Sequence, residues 1–147
     1  MNQVDTPHSS LPSAQVALAP EQPGFVHLRM HTEFSVTDGI VRIGEAVAAA
    51  AADGMPALAL SDLSSLFGLV KFYRKCRASG IKPIAATDIW LESEKGEGLP
   101  ARCLLVAQNH AGYLQLCELL SRAFLQNQHR AVRWCATSGF QRWAAPT

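Results

Sequence analysis

The chain has 147 residues, of which 48% are apolar and 17% charged, which is typical of one soluble globular domain and excludes a chain disordered throughout. Its 13 Lys and Arg against 12 Asp and Glu give a formal charge of +1, so charge indicates neither nucleic acid nor cations as partners. Four cysteines without a C-x-x-C pair predict reduced thiols. Residues 1–23 lack the Lys or Arg of a secretory signal, and no apolar stretch could span a bilayer, so we expect a cytoplasmic protein without membrane contact.

The first residues differ in composition from the rest. Residues 1–24 hold four of the eight prolines and no periodic apolar pattern, which predicts a flexible leader. Alternation over Phe25–His31 then predicts a strand with Arg29 and His31 on one face and apolar residues on the other. The fold is therefore expected to begin at residue 25.

Helices and strands alternate along the middle of the chain. Helical spacing of apolar residues and a closing glycine mark two helices: Ile43–Asp53 with Gly54, and Leu66–Cys76 with Gly80. Continuous apolar runs mark three buried strands: Pro56–Leu60, Pro83–Leu91 and Cys103–Ala107. Asn109 stands where the N-cap of a third helix belongs. The order βαβαββα predicts an α/β architecture with mainly parallel strands.

The character of the sequence changes after Gln128. Residues 129–147 hold three arginines, no acidic residue and two of the three tryptophans. A basic, aromatic tail that binds nucleic acid is one interpretation, but the charge is sparse and no periodicity supports it. We favour a disordered terminal segment that is unrelated to the domain before it.

Polar side chains recur where the predicted strands end. His31 follows the first strand, Asp62 follows the second and Asp88 lies within the third. In α/β folds, this edge of the sheet is where sites are built. Together with Asp38, these residues could make a nitrogen and oxygen site for divalent metals that act on phosphate esters. Ordinary roles are the alternative: a turn for Asp38, a helix cap for Asp62 and a strand-end group for Asp88.

Several blocks of the sequence together resemble one known family. In chain order they are Phe25–Ser35 with Asp38 and Gly39, Gly54–Asp62, Gly68–Tyr73, Gly80–Ile84 and Leu104–Asn109. In order and spacing they resemble the polymerase and histidinol phosphatase (PHP) domain, in the form that begins the alpha subunit of bacterial DNA polymerase III. The resemblance covers residues 25–128, which we assign to a partial PHP domain, and leaves out the leader and residues 129–147.

The resemblance implies a PHP-type (β/α) barrel-like fold, truncated here because the family's barrel needs more strands than this chain supplies. Metal-holding members carry histidine where this chain has Arg29, Leu63 and Arg102, and glutamate is usual at the position of Asp88. A guanidinium group has no lone pair to give a metal, so we expect no metal, no other cofactor and no catalytic residue. The arginines would instead pair with carboxylates in a degenerate site. Its residues are Arg29, His31, Asp38, Asp62, Asp88 and Arg102.

For function, the resemblance implies the N-terminal portion of a replicative DNA-directed DNA polymerase subunit, from a nucleotidyltransferase family. We expect this portion to be non-catalytic and to serve as a scaffold or docking surface for a proofreading exonuclease and other replicase subunits. DNA would bind only through polymerase regions absent from the chain. The alternative is a metal-dependent PHP phosphoesterase or 3′–5′ exonuclease, in which His31, Asp38 and Asp62 hold zinc or manganese. The change after Gln128 also suggests a truncated or frame-altered gene product.

Overall fold

The computed structural model describes residues 24–91, 100–126, 128–129 and 132–135. Three helices lie among the described residues: α1 (Ile43–Ala52), α2 (Leu69–Ala78) and α3 (His110–Gln126). The strands there are β1 (Ala57–Leu60), β2 (Lys82–Leu91), β3 (Ala101–Val106), β4 (Gln128–His129) and β5 (Val132–Cys135). The α/β class predicted from the sequence is confirmed.

The sheet is built around β2, the longest strand. β1 and β5 pair with β2 in parallel, whereas β3 pairs with it antiparallel, and β4 pairs antiparallel with β5. An antiparallel pair suits this connection, because residues 92–100, which join the two strands, are fewer than a parallel crossover needs. The sheet is therefore mixed, with two parallel and two antiparallel pairs in the described part.

The first predicted strand, Phe25–His31, is an extended segment without a regular ladder of its own. It runs beside β1, where the carbonyl groups of His27 and Met30 accept hydrogen bonds from Ala59 and Ser61 at 2.9 and 3.0 Å. The Ser61 hydroxyl then takes the place of a backbone partner, because it accepts from the Met30 N–H at 2.8 Å. Because a side chain here replaces a backbone acceptor, the regular ladder that the alternation predicts is interrupted.

The predicted helix ends agree with the structure. Gly54 and Gly80 follow α1 and α2 with φ of +67° and +74°, a left-handed conformation that glycine adopts without a steric cost. Asn109 caps α3, since its side-chain oxygen accepts the Gly112 N–H at 2.9 Å. The second helix begins at Leu69, three residues later than Leu66.

Two groups of buried side chains form the core. The first joins α1, β1 and α2 and consists of Ile43, Val47, Ala50, Leu58, Leu60, Phe72, Cys76 and Ile81. The second joins β2 to α3 and consists of Ile89, Leu120 and Ala123, with Leu66, Leu91, Cys103, Leu105 and Leu119 packed around them. In this way the core supports the region where Ser61 and Asp62 follow β1 and where Thr87 and Asp88 lie on β2.

The boundary predicted at residue 128 differs from what the structure shows. Val132–Cys135 forms β5 and continues the sheet, with Trp134 in register with Trp90 of β2. It pairs there because the last residues of β2 extend past the end of β1 and leave that side of the strand available. The rest of the predicted tail, 136–147, and leader residues 1–23 lie outside the described residues. None of the described helices is both long and apolar enough to cross a membrane.

Candidate functional site

Asp88 lies on β2, is fully buried and stands at the centre of the candidate site. Its Oδ2 atom accepts a hydrogen bond from Arg29 Nε at 2.8 Å, and Arg29 Nη2 and His31 Nε2 both lie 2.7 Å from the same oxygen. Its Oδ1 atom is also buried and has no hydrogen-bond partner among the described residues. The Arg29 guanidinium and the His31 ring, both from the segment beside β1, therefore converge on one carboxylate oxygen.

The His31 ring joins Asp88 to a second carboxylate. Its Nδ1 atom lies 3.1 Å from Oδ1 of Asp38, while Nε2 faces Asp88. A ring nitrogen donates a hydrogen bond to a carboxylate only when it carries a proton, so a doubly protonated ring satisfies both contacts. The imidazole thus acts as a bridge between a buried and a half-exposed acid.

Asp38 receives three donors from three parts of the chain. Besides His31, they are the Ser35 hydroxyl on Oδ1 and Arg102 Nη2 on Oδ2, both at 2.7 Å. Burial alone would raise the pKa of Asp38, but the hydrogen bonds from Ser35 and Arg102 and the charges of His31 and Arg102 outweigh it. The pKa of Asp38 is therefore held below its ordinary value. The Arg102 guanidinium also lies 4.9 Å above the Trp90 ring, an arrangement that favours a cation.

These contacts form one continuous row in which basic and acidic side chains alternate, which we call the ion chain. In order it consists of Arg29, Asp88, His31, Asp38 and Arg102. The predicted pairing of both arginines with carboxylates is thus present in the geometry. Each arginine neutralises a different acid, and the histidine links the two pairs.

Asp62 is buried beside the ion chain but contacts neither arginine. Its carboxylate accepts hydrogen bonds from the backbone N–H and the hydroxyl of Thr32, at 2.6 and 2.8 Å. Burial raises the pKa of Asp62, with the Thr32 hydrogen bonds acting in the opposite direction. Nor does Asp62 cap α2, because the N-cap residue of that helix is Gly68 and no side chain caps it. The carboxylate instead holds the turn that follows His31.

That turn, residues 32–41, keeps Asp38 in place through buried hydroxyl groups. The Ser35 hydroxyl donates to Asp38 and accepts the Leu63 N–H at 3.0 Å. A Cβ atom at Gly39 would overlap the Thr32 carbonyl oxygen, so only glycine allows this close approach. The sequence analysis did not single out Thr32 or Ser35. The available signal was that Thr32 directly follows His31 and that Ser35 lies three residues before Asp38.

The predicted site residues are thus brought together, five in the ion chain and Asp62 beside it. Leu63, next in the sequence, forms an isolated parallel bridge with Asp88 and offers no side-chain ligand. Among the residues that the structure describes, no group of three His, Cys, Asp or Glu side chains is arranged to hold a metal ion. What the arrangement does chemically is to neutralise buried carboxylates with fixed cations.

Comparison with known proteins places the chain in a family. The family model described as PHP domain matches residues 27–143. This chain belongs to the PHP domain family. The match extends beyond residue 128, in keeping with β5 as part of the sheet.

Relatives of this PHP chain include DNA polymerase III alpha subunits. The one from Neisseria meningitidis is 49% identical over 113 residues, which cover 75% of this chain and 10% of that protein. The one from Pseudomonas aeruginosa is 49% identical over 104 residues, covering 71% and 9%. Among solved structures, an amidohydrolase from Chromobacterium violaceum aligns at 18% identity and TM-score 0.47, over 66% of this chain and 33% of its own. The PHP chain therefore spans about a tenth of the length of these polymerase subunits.

Proposed function

We propose that this chain is the PHP portion of a replicative DNA polymerase III alpha subunit, and that it is a non-catalytic scaffold which docks a proofreading exonuclease. A cytoplasmic location with the other replicase subunits is part of the proposal. The observation that carries it is the ion chain, in which Arg29 pairs with Asp88 and Arg102 pairs with Asp38. By the resemblance, these two arginines stand where metal-holding PHP domains carry metal ligands. The 49% sequence identity to DNA polymerase III alpha subunits supports the assignment of this chain to such a subunit.

The donor set does not fit a metal cluster. Both oxygens of Asp38 and one oxygen of Asp88 already accept hydrogen bonds from protein cations or hydroxyls. Guanidinium groups have no lone pair, and two fixed positive charges beside a divalent cation would repel it. Both nitrogens of His31 are already in contact with carboxylates, Asp38 and Asp88. We infer that electrostatic pairing replaces the metals and supports the fold.

Elemental analysis tests the metal part of the proposal. The purified chain, incubated with zinc or manganese and then desalted, is expected to retain no stoichiometric metal. The matched variant carries Arg29→His, Leu63→His and Arg102→His together, which supplies three imidazoles and removes two charges, and it is expected to retain zinc. One tightly held metal ion per parent chain would contradict the proposal.

Docking is tested by binding to the cognate proofreading exonuclease. The immobilised chain is expected to retain the purified exonuclease, and an equal amount of unfolded chain is the control. If neither this chain nor an extended PHP domain of the same protein retains the exonuclease, the proposed scaffold function is wrong. The polymerase reaction itself is not expected from this chain, since it covers about a tenth of its relatives.

A second function, metal-dependent phosphoester hydrolysis, is favoured by one observation only. The Oδ1 atom of Asp88 is buried and has no partner among the described residues, so it could serve a metal as a ligand. The test is hydrolysis of a phosphomonoester and of a primer-template with added manganese. Activity that disappears in His31→Ala would establish this function in place of the scaffold.

A further inference from the structure

A groove of about 780 Å³ lies between α2 and the start of α3. We call it the α2–α3 groove; its apolar lining comes from Val70, Tyr73, Pro83, Ile84, Val106 and Tyr113. Three of these side chains stay largely exposed, at 62% for Val70, 53% for Tyr73 and 46% for Val106. Exposed apolar side chains that share one groove are typical of a surface that another molecule covers.

The charged groups at this groove are all basic. Arg74 and Lys82 line it, and α2 carries no acidic residue while Lys75 and Arg77 lie in its last turn. In the described part of the chain, none of these four cations forms an ion pair. By contrast, Lys71 on the same helix is paired with Glu33 at 2.9 Å. The positive charge of Arg74 and Lys82 in the groove, extended along α2 by Lys75 and Arg77, is complementary to an acidic partner.

A docking strand would find a poor edge here. The Lys82 N–H donates to Pro56 on the side of β1, so the next residue, Pro83, directs its nitrogen to the opposite side. That nitrogen carries no hydrogen and cannot donate to an added strand. Along α2, in contrast, Val70, Tyr73, Arg74 and Arg77 follow the i, i+3, i+4, i+7 spacing of one helix face. This face suits side-chain packing against another helix.

We propose that the α2–α3 groove binds an acidic amphipathic helix of a partner protein. Its apolar face would pack on Val70, Tyr73 and Val106, and its carboxylates would pair with Arg74 and Arg77. A nucleic acid would match the charge but would leave the apolar lining exposed. The inference rests on the proposed scaffold function and adds where the partner docks and what its surface must carry.

The test uses a fluorescent synthetic peptide about four helical turns long, with leucines on one face and glutamates on its flanks. Anisotropy titration with the 147-residue chain is expected to show saturable binding that weakens as salt is raised. Val70→Asp and the double variant Arg74→Glu, Arg77→Glu are each expected to weaken binding at least about tenfold. Val36→Asp is the matched control, because Val36 is 92% exposed and lies outside the groove. Circular dichroism must show that each variant keeps the parent's melting curve.

Four outcomes overturn the inference. If a peptide with lysines in place of the glutamates binds equally well, charge complementarity does not drive binding. If Val36→Asp weakens binding as much as Val70→Asp does, the peptide does not bind at the groove. Competition by a duplex oligonucleotide that binds more tightly than the peptide makes the groove a nucleic-acid surface. A dimer of the parent that Val70→Asp converts to a monomer makes it a contact between two copies.

The proofreading exonuclease separates this inference from the proposed function. If the exonuclease binds equally to the parent and to Val70→Asp, the scaffold function stands and the groove assignment fails. If the acidic peptide binds at the groove but no exonuclease is retained, the groove stands and the scaffold function fails.

Discussion

Asp88 concentrates three donors on one oxygen and leaves the other oxygen without a partner among the described residues. A buried carboxylate is stable only with a counter-charge or hydrogen bonds, and here Arg29 supplies the fixed charge and His31 a second close contact. The Arg29 side chain is 54% exposed, whereas His31 is 15% exposed and in contact with two acids. Asp88 and His31, rather than either arginine, therefore stand at the centre of the ion chain.

Removing Arg29 is therefore expected to weaken the fold without abolishing it. Arg29→Ala leaves His31 on Asp88, so the loss in unfolding free energy should stay below the ~3–5 kcal/mol typical of an uncompensated buried charge. Urea unfolding of Arg29→Ala, Asp88→Asn and the double variant measures the coupling. The cost of Arg29→Ala is expected to nearly vanish once Asp88→Asn has removed the charge. An equal cost in both backgrounds would show that Arg29 is an ordinary solvated side chain.

Asp38 and Asp62 should affect acid stability in opposite directions. Since the folded pKa of Asp38 is lowered, its stabilisation is present above the ordinary aspartate pKa and is lost as the pH falls through the lowered value. The folded pKa of Asp62 is raised, so its effect favours folding below the ordinary pKa and is lost as the pH rises through the raised value.

The pH dependence of Asp38→Asn checks this sign. The parent is expected to be more stable than Asp38→Asn at neutral pH, and the difference should disappear in acid, below the lowered pKa. Asp62→Asn should shift the pH dependence the other way. Urea midpoints across the acid range measure both, and a difference for Asp38→Asn that grows in acid would contradict the assignment.

Ser64 carries backbone strain and an unsatisfied hydroxyl. Its φ is +49°, and its buried Oγ atom has no hydrogen-bond partner among the described residues. Glycine has no Cβ to strain this conformation and no hydroxyl to bury, so Ser64→Gly is expected to raise the unfolding free energy by about 1 kcal/mol. Ser64→Ala removes the hydroxyl but keeps the strain, and should lie between parent and glycine. A melting temperature lowered by Ser64→Gly would indicate a role for the hydroxyl.

At the scale of elements, the sequence predicted what local chemistry controls. The glycines after α1 and α2 and the asparagine before α3 mark helix ends through backbone conformation and capping, which depend on a few adjacent residues. The hydrogen bonds of Met30 with Ser61 and of Asp62 with Thr32 were not predictable. Each joins residues that are far apart in the sequence and that come into contact only when β1 packs beside the first segment. The same reason hid which acid each arginine pairs with.

The cap of α3 provides a local test. Asn109→Ala removes the acceptor for the Gly112 N–H and is expected to lower the unfolding free energy by about 1 kcal/mol. Asn109→Asp keeps a capping oxygen and should restore most of this loss. Urea unfolding followed by circular dichroism measures both variants, and an unchanged midpoint for Asn109→Ala would show that the cap contributes nothing.

At the scale of the whole molecule, β2 connects the two parts of the core. Ile81, just before β2, packs in the first group with Phe72, while Ile89 within β2 packs in the second with Leu120. The strand also carries Asp88, whose ion pairs join it to the segment beside β1. Because Ile81 and Ile89 lie on one continuous stretch of chain that runs from the first group into the second, loss of either group should weaken the other.

This continuity predicts one cooperative unit, and a substitution in one group should be felt in the other. Phe72 is fully buried, so Phe72→Ala is expected to cost about 3–5 kcal/mol. Hydrogen exchange followed by mass spectrometry should then show that protection falls by the same factor in both helices. Of these, α1 supplies residues to the first core group, with Phe72, whereas α3 supplies residues to the second. Leu120→Ala is the reciprocal variant and should reduce protection in α1 as well. Loss of protection confined to the substituted group would mean that β2 does not transmit stability and that the two groups unfold independently.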